Sequence, residues 1–362
     1  MQVELNWHRE SQMRVGVLGI GIFLPDEIRK NDWWPEETVE DWRLMRTVAR
    51  HEPKSESEAL LRAAQDALAD DPFKGAVERR VMPSSMRAID MEIAAARDAL
   101  DRAGVDKDEI GFVAVQSTIM DYAATNVACS VHAGLDLPTD CFTMTLEAAC
   151  NGFQQQCTLA RAMIAGGDAR YGLLIQSSSL SRVLPYQMPY SAWLGDGATA
   201  VVVGPTGADR GILGASHKTE GALDNTVLVN VPGGHWYDSA RPIVCTESPE
   251  SVHAMLMGIP DSAKSTITQA LSRAGLSPED VDFYAAHQAF PWYRSVTQTY
   301  SGLNHARSVD TFAWAGSLAA ANIPLVLATA ERQGLLKPDD IVVTQTGGSG
   351  LTHASLVIRW GC

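Results

Sequence analysis

The stretch ALDRAG (residues 99–104), followed by VDKDEIGFVAVQ (105–116), decides the fold because the chain repeats it. The second copy is ALSRAG (270–275) followed by LSPEDVDFYAAH (276–287), which begins 171 residues after the first. Each copy is typical of a helix that ends at a glycine, then a short acidic turn, then an apolar strand. In this register Gln116 and His287 occupy equivalent strand ends.

Two further echoes extend the repeat. AGGDARYGLLIQ (165–176) matches GLLKPDDIVVTQ (334–345) in pattern, and Cys150 and Ser317 are predicted to lie at equivalent helix starts. Chance similarity between amphipathic segments would explain one match. Three matches in the same order, at offsets of 171, 169 and 167 residues, favour a duplication.

Helices alternate with wholly apolar strands, and this predicts parallel-rich sheets covered on both faces. The clearest of these strands are Val15–Leu18, Phe112–Val115, Gly172–Ile175 and Ile341–Val343. Residues 30–85 interrupt the alternation with charge, Trp and Pro, so we interpret them as an insertion over the core. The irregular stretches 181–195 and 232–250 are expected to line an entrance or a subunit contact.

Composition excludes several classes of function. The chain of 362 residues has a net charge of −14 and a pI of about 5.0, which disfavours nucleic-acid binding. No two of the six cysteines form a CxxC pair, so a metal site is not expected. Residues 1–11 are polar, unlike a signal peptide, and no apolar run is long enough to span a membrane. We therefore expect a cytoplasmic protein with reduced thiols.

Cys150 is the first candidate for chemistry. It follows a β-like segment that ends near Leu146 and precedes a helix predicted from about Asn151 to Ile164. A helix N-terminus favours thiolate over thiol, and the thiolate is the nucleophile. On position alone, a cysteine that only packs in the core remains the alternative.

His287 and a glycine-rich loop are the next candidates. His287 ends the apolar strand 281–286, at the crevice side of an α/β sheet, although a purely structural histidine would also fit there. The loop GGSGLTH (347–353) lies between two strands, and its glycines allow backbone N–H groups to approach an oxyanion. It lacks the Lys-Ser/Thr and the helix of a phosphate-binding loop.

Five motifs together resemble the ketoacyl synthase III family, in the order that the family has them. EAACNGF (residues 147–153) resembles the nucleophile motif, LGDGATAV (194–201) resembles the internal GDGA segment, and AHQA (286–289) resembles the PHQAN motif. GSLAAANIP (316–324) resembles the GNTSAASIP motif, and GSGLTHAS (348–355) resembles the terminal GGGFTWGS loop. The resemblance covers residue 13 to the end. It implies the thiolase fold, with two duplicated βαβαβαββ halves in a five-layered α-β-α-β-α core.

The resemblance also assigns residues. Cys150 matches the acyl-accepting cysteine and His287 the catalytic histidine, whereas Ser317 stands where the family has asparagine. Asn322 stands five residues on, where the family has a serine. Two further departures make pocket candidates of the residues concerned: Phe290 replaces the asparagine after HQA, and His353 replaces the tryptophan of the terminal loop.

These assignments imply a two-step acyl transfer. Cys150 accepts an acyl group from a CoA or carrier-protein thioester, and the backbone N–H groups of Cys150 and of Gly348 or Ser349 hold the oxyanion. Because the Ser317 hydroxyl is shorter than an asparagine amide, the sequence favours transfer to an alcohol, amine or thiol, with His287 as general base. Decarboxylative condensation with a malonyl-type thioester is the alternative. A non-catalytic partner subunit is the third reading.

The resemblance sets expectations for organisation as well. The N-terminal half is predicted at 13–205 with the insertion inside it, and the C-terminal half at 206–362. A homodimer is expected, because residues 119–135 align with the family segment that crosses the dimer interface. No tightly bound cofactor is expected, since CoA or the carrier phosphopantetheine is a substrate. A role in secondary metabolism is implied, because family members that lack the asparagine include acyltransferases of that metabolism.

Overall fold

The computed structural model describes residues 14–45 and 52–361. Residues 1–11, the boundary at residue 13 and Cys362 lie outside this range, so the structure does not address the predictions made for them. The described strands are β1 (Arg14–Phe23), β2 (Ile28–Lys30), β3 (Glu78–Arg80), β4 (Ile110–Ser117), β5 (Phe142–Thr145), β6 (Tyr171–Ser179), β7 (Asp196–Thr206), β8 (Gly211–Thr219), β9 (Leu228–Asn230), β10 (Ile243–Cys245), β11 (Phe283–Ala286), β12 (Ile341–Gly348) and β13 (Thr352–Arg359).

Helices alternate with these strands as the repeat predicts. They are α1 (Glu36–Leu44), α2 (Glu56–Asp66), α3 (Ala88–Ala103), α4 (Ala128–Leu135), α5 (Gly152–Gly166), α6 (Pro249–Ala274), α7 (Tyr293–Tyr300), α8 (Phe312–Ala315) and α9 (Asn322–Arg332). The repeated helices α3 and α6 both end at a glycine in the left-handed conformation, Gly104 (φ 61°) and Gly275 (φ 71°). A 3-10 turn then leads from each helix into a buried strand.

Two mixed sheets form the frame of the molecule. The first has the order β1-β7-β6-β4-β5, and the second has the order β11-β12-β13-β8. Parallel pairing is confined to β4 with β5 and β6, and to β11 with β12, whereas the other pairs in these sheets are antiparallel. The expectation of parallel-rich sheets is therefore met only in part, because each half closes with antiparallel strands.

The element order confirms the duplicated βαβαβαββ plan. In the second half the counterpart of β5 is reduced to one parallel bridge, between Phe283 and Arg307. Apolar residues of α5 and α9 fill the space between the two sheets, while α3 with α4 and α6 with α7 cover the outer faces. This is the five-layered order expected from the resemblance.

The chain passes from the first sheet to the second between Thr206 and Gly211. We propose the boundary between the halves at 205/206, and we propose that residues 30–85 are an insertion. That segment contributes α1, α2 and β3, and its residues Trp34 and Trp42 pack with Ala192. Within the described ranges, no helix is both long and apolar enough to cross a bilayer.

Candidate active site

Cys150 lies in a tight turn between β5 and α5. A 3-10 helix over Ala149–Asn151 precedes α5, which begins at Gly152. Ala149 adopts φ 46°, an unfavourable left-handed conformation for a residue with a Cβ, directly before the cysteine. The helix therefore begins slightly later than predicted, and Cys150 stands on the turn that leads into it.

Polar contacts from neighbouring elements hold this turn. Gln116, fully buried at the end of β4, accepts the N–H of Ala148 through Oε1 at 2.8 Å. The N–H of Ala149 donates to Glu147 Oε1 at 2.7 Å, and the Gln116 amide reaches the same carboxylate at 3.4–3.5 Å. Two side chains to which the sequence analysis gave no role thus accept the backbone N–H groups of this strained turn. The register that aligned Gln116 with His287 was the signal that pointed to the first.

The thiol of Cys150 is not predisposed to ionise in the free chain. Burial raises its pKa to about 12, and the nearby Glu147 carboxyl acts in the same direction. The sequence predicted the opposite, a thiolate favoured by the helix N-terminus. A backbone hydrogen bond to the sulfur acts the other way, but burial is the larger effect on the pKa because Cys150 faces a largely apolar space.

His287 directly follows β11, where the sequence placed it. Its backbone N–H donates to Gln345 O at 2.8 Å, which extends the parallel pairing of β11 with β12. Only 1% of the residue is exposed, and burial lowers the pKa of the imidazole from 6.5 to about 3. The imidazole is therefore neutral at physiological pH. Its Nε2 has no hydrogen-bond partner within the described part of the chain.

Asn322 connects His287 to Ser317. Its Nδ2 lies 3.0 Å from His287 Nδ1 and 3.0 Å from Ser317 Oγ, and its Oδ1 accepts the N–H of Leu318 at 2.7 Å. All three side chains are at most 3% exposed. Sequence reasoning kept Asn322 only as a possible pocket residue, so its central place in this network is a finding of the structure.

The predicted equivalence of Ser317 with Cys150 is wrong. The second half has its own 3-10 turn at Ala319–Ala321, followed by α9 from Asn322, so the counterpart of Cys150 is Ala320. Ser317 precedes the turn and pairs with Leu194 in a parallel bridge. The sequence repeat misplaced it by three residues because the preceding loop is irregular.

The glycine-rich loop is the turn between β12 and β13, and it packs against the turn that carries Cys150. Thr346 Oγ1 donates to Cys150 O at 3.3 Å. A Cβ at Gly348 would lie 3.0 Å from Asn151 N and 3.1 Å from Ala148 O, so glycine permits the approach. Gly348 and Ser349 face the same cavity as Cys150.

A cavity of about 700 Å³ joins these groups. Cys150, His287 and Ser317 line it, and most of the remaining wall is apolar, including Leu180, Leu194, Val229, Val244, Met255, Leu256 and Ile259. Both irregular stretches, which were expected to line an entrance or a subunit contact, contribute to the cavity wall, for example through Tyr190 and Val244. Among the described residues that line the cavity there is no lysine or arginine, whereas Glu147 and Asp224 are present.

The two substituted positions also face this cavity. Phe290 stacks on Trp292, with ring centroids 5.0 Å apart, and so belongs to an aromatic wall. His353 lies in β13 rather than in the loop, is 1% exposed, and has its pKa lowered to about 4 by burial. Tyr293, which the sequence analysis did not single out, packs edge-on against His287 at 5.5 Å and lines the same space.

Comparisons with known proteins agree with this geometry. The family model described as 3-oxoacyl-[acyl-carrier-protein (ACP)] synthase III matches residues 144–221, and the model of its C-terminal part matches residues 271–360. The β-ketoacyl-[acyl-carrier-protein] synthase III of Rhodobacter capsulatus is 30% identical over 367 residues, covering 96% of this chain and 99% of that protein. That of Dinoroseobacter shibae is 33% identical over 316 residues, covering 85% and 94%.

Solved structures show the same fold. The 3-oxoacyl-(acyl carrier protein) synthase III of Pseudomonas aeruginosa aligns with a TM-score of 0.78 at 23% identity, covering 96% of this chain and 99% of that one. The priming β-ketosynthase of the R1128 polyketide biosynthetic pathway aligns with a TM-score of 0.78 at 22% identity, covering 96% and 97%. Fold, motif order and near full-length similarity agree, and the chain belongs to the β-ketoacyl-[acyl-carrier-protein] synthase III family of acyltransferases.

Proposed function

We propose that an acyl thioester loads Cys150 and that the acyl group is then condensed with a malonyl-type thioester, with loss of carbon dioxide. The observation that carries this proposal is a neutral His287 whose Nε2 is unpartnered beside Ser317, both on the cavity that contains Cys150. In the first step Cys150 Sγ attacks the thioester carbonyl, the bond between that carbonyl and the donor sulfur breaks, and the proton of the Cys150 thiol passes to the donor sulfur, which leaves as a thiol. Backbone N–H groups of Cys150 and of Gly348 or Ser349 would hold the oxyanion.

In the second step the malonyl thioester loses its carboxylate as carbon dioxide, and the electron pair passes to the thioester as an enolate. His287 Nε2 and Ser317 Oγ would hold the enolate oxygen. The enolate carbon attacks the acyl group on Cys150, and the cysteine sulfur leaves. A histidine with a pKa of about 3 is a weak proton acceptor, so its environment supports hydrogen-bond donation rather than general base catalysis.

Transfer to an alcohol, amine or thiol is the second candidate. One observation favours it: the cavity contains Glu147 beside Cys150 and no lysine or arginine among its described lining residues. Burial raises the pKa of the Glu147 carboxyl, which brings it closer to the range of a general base. In this candidate Glu147 would take the proton of the acceptor, and His287 would hold the oxyanion.

Carbon dioxide release from malonyl-CoA and malonyl carrier protein separates the two candidates. Condensation requires release by the wild type, coupled to a β-keto product. Ser317→Ala should reduce the release at least ~10-fold, because a hydrogen bond to a charged group contributes ~1.5–3 kcal/mol. Ser317→Asn, which restores the family residue, should retain or raise it.

Ser272→Ala, at an exposed position of α6, is the matched control and should not change the rate. A wild type that releases no carbon dioxide, yet passes its acyl group to an added amine or alcohol, would establish the second candidate. If no thioester acylates Cys150, the result would instead support the hypothesis that the chain is a non-catalytic partner subunit. Intact-protein mass spectrometry with a panel of acyl-CoA and acyl-carrier donors measures this loading.

The setting of the reaction is part of the proposal. We place it in the cytoplasm and in secondary metabolism, supported by the fold shared with a priming ketosynthase of a polyketide pathway and by serine in place of the family asparagine. The five described cysteines are all unpaired. We also propose a homodimer, supported by the alignment of residues 119–135 with the family's interface segment.

A further inference from the structure

We infer that Asn322 is a positioning residue, which fixes the proton of His287 on Nε2 and turns the hydroxyl of Ser317 toward the cavity. Asn322 does not face the cavity itself: it is fully buried behind it. The effect on the reaction rests on the proposed function, whereas the effect on His287 is a property of the free protein.

The orientation of the Asn322 amide follows from one backbone contact. The N–H of Leu318 can only donate, and it points at Asn322 from 2.7 Å, so the atom there is the carbonyl oxygen. The NH₂ group must therefore face the other way. It meets His287 Nδ1 and Ser317 Oγ at 3.0 Å each, one for each of its protons.

The tautomer of His287 follows from that orientation. Nδ1 accepts a hydrogen bond from the Asn322 NH₂ group, so it carries no hydrogen of its own, and a neutral imidazole then has its hydrogen on Nε2. Nε2 is the nitrogen without a partner. His287 therefore presents a donor to the cavity and has no lone pair there with which to act as a base.

The same amide prepares Ser317. Its Oγ accepts a hydrogen bond from Asn322, which leaves the hydroxyl proton free to be given elsewhere. Ser317 lines the cavity, so a substrate oxygen is the partner available to it. The Asn322 amide, which lies behind the cavity wall, thus leaves two hydrogen-bond donors facing the cavity: His287 Nε2–H and the Ser317 hydroxyl.

Two residue types of the family motif are exchanged in this chain. The family motif GNTSAASIP has asparagine at its second residue and serine at its seventh, and here Ser317 and Asn322 exchange those two residue types. In this chain the hydroxyl therefore lies on the cavity wall and the amide lies behind it, beside His287.

Asn322→Asp tests the inference with little change of shape. The carboxylate can still accept from Leu318, but its second oxygen accepts from His287 instead of donating to it. The tautomer of His287 should therefore switch, with its proton moving to Nδ1. This is measured by nitrogen NMR of the free protein labelled in histidine, with His287→Gln to assign the signal. Asn304→Asp, at an exposed loop position whose Oδ1 accepts from Thr299, is the matched control and should change nothing.

Kinetics test the consequence. Asn322→Asp should lower kcat for carbon dioxide release from malonyl-CoA at least ~10-fold, with acyl loading of Cys150 and KM changed much less. Asn322→Ser should also lose activity, and the double exchange Ser317→Asn with Asn322→Ser should recover most of it.

The outcomes separate the two proposals. An unchanged tautomer in Asn322→Asp overturns the inference, whatever the activity. A switched tautomer supports it even if the wild type releases no carbon dioxide, a result that would contradict the condensation alone. Asn322→Ser with full activity would also overturn it.

Discussion

The two halves of the molecule build the same turn and use it differently. In the first half the turn Ala149–Asn151 begins with a left-handed residue at φ 46°, and in the second half the turn Ala319–Ala321 begins with one at φ 50°. Each turn leads into a helix between the sheets. The first carries Cys150, the proposed nucleophile, at its second position, whereas the second carries Ala320 there. Both halves therefore share a strained backbone turn, and one of them carries the thiol.

The comparison also shows how His287 is kept available. In the first half the N–H before the left-handed residue, that of Ala148, is accepted by Gln116 from the strand end. In the second half the equivalent N–H, that of Leu318, is accepted by Asn322 from the helix start. His287 occupies the strand end that corresponds to Gln116. Because Asn322 accepts the N–H of Leu318, His287 does not have to accept it. A side chain at a strand end can either brace the turn or face the cavity.

The largest effect on activity is expected from replacing Cys150, the residue at which the two turns differ. Cys150→Ala should abolish acyl loading while the protein remains folded, because Ala320 shows that an alanine fits the same backbone turn. Mass spectrometry after incubation with acyl-CoA measures the loading, and circular dichroism measures the fold.

Cys157 should not replace the missing thiol. It lies about two turns further along α5, is fully buried, and its pKa is raised by burial. Ser272→Ala, at an exposed position of α6, is the control and should load normally. Acylation of the Cys150→Ala variant would contradict the assignment of the nucleophile.

The free edges of the two sheets give the next prediction. The first sheet ends in β5, an edge strand on which Phe142 is 50% exposed, whereas the second sheet has only the bridge at Arg307 in that place. If the proposed dimer forms through the first half, Phe142→Lys should weaken it at least ~30-fold, the effect of a hot-spot residue of ~2 kcal/mol. Light scattering across a concentration series measures the change.

Ser272→Lys is the control for that prediction. It adds the same charge at an exposed residue of α6, which lies in the second half. A wild type that is monomeric at micromolar concentration would contradict the dimer itself, and a Phe142→Lys variant that stays dimeric would exclude β5 as its contact.

A third prediction sharpens the packing difference between the helix starts. Gly152 corresponds to Asn322, and a Cβ at Gly152 would lie 2.6 Å from Gln116 Cγ. Gly152→Ala should therefore destabilise the protein by ~3 kcal/mol, the upper range for overpacking a core. Shortening the opposing side chain with Gln116→Ala should remove part of this cost in the double variant, and urea denaturation measures the coupling. Costs that simply add would show that the two residues do not compete for space.

Much of this was predictable from the sequence, for identifiable reasons. Helix ends at Gly104 and Gly275 and the apolar strands that follow depend on local signals, and these were predicted correctly. The strand-end position of His287 followed from the same register. Motif order was sufficient for the family because it needs no distances.

What the sequence did not predict depends on contacts between distant segments. The role of Asn322 requires knowing which way an amide points, and Leu318 and His287 settle that only in three dimensions. The raised pKa of Cys150 reflects burial, whereas the sequence pattern showed only a nearby helix start. The Ser317 error arose because an irregular loop changed the offset of the repeat.

The last prediction uses a difference between the two equivalent strand ends, because only one of them carries a side chain that can titrate. Gln116 cannot titrate, whereas His287 has a folded-state pKa of about 3 against an ordinary value of 6.5. Below pH 6.5 the His287 imidazole is protonated in the unfolded chain but stays neutral in the folded protein. The contribution of His287 to the free energy of unfolding is therefore lost as pH falls, at ~1.4 kcal/mol per pH unit. Glu92, with its pKa raised to about 7, gives stability the opposite dependence on pH. The total change in stability of the wild type therefore does not isolate His287. The informative quantity is the difference between wild type and His287→Gln. Between pH 7 and pH 5, His287→Gln should lose ~2 kcal/mol less stability than wild type, as measured by urea denaturation. His235→Gln, at an exposed position, is the control and should behave like wild type. Equal losses of stability in all three proteins would contradict a buried neutral His287.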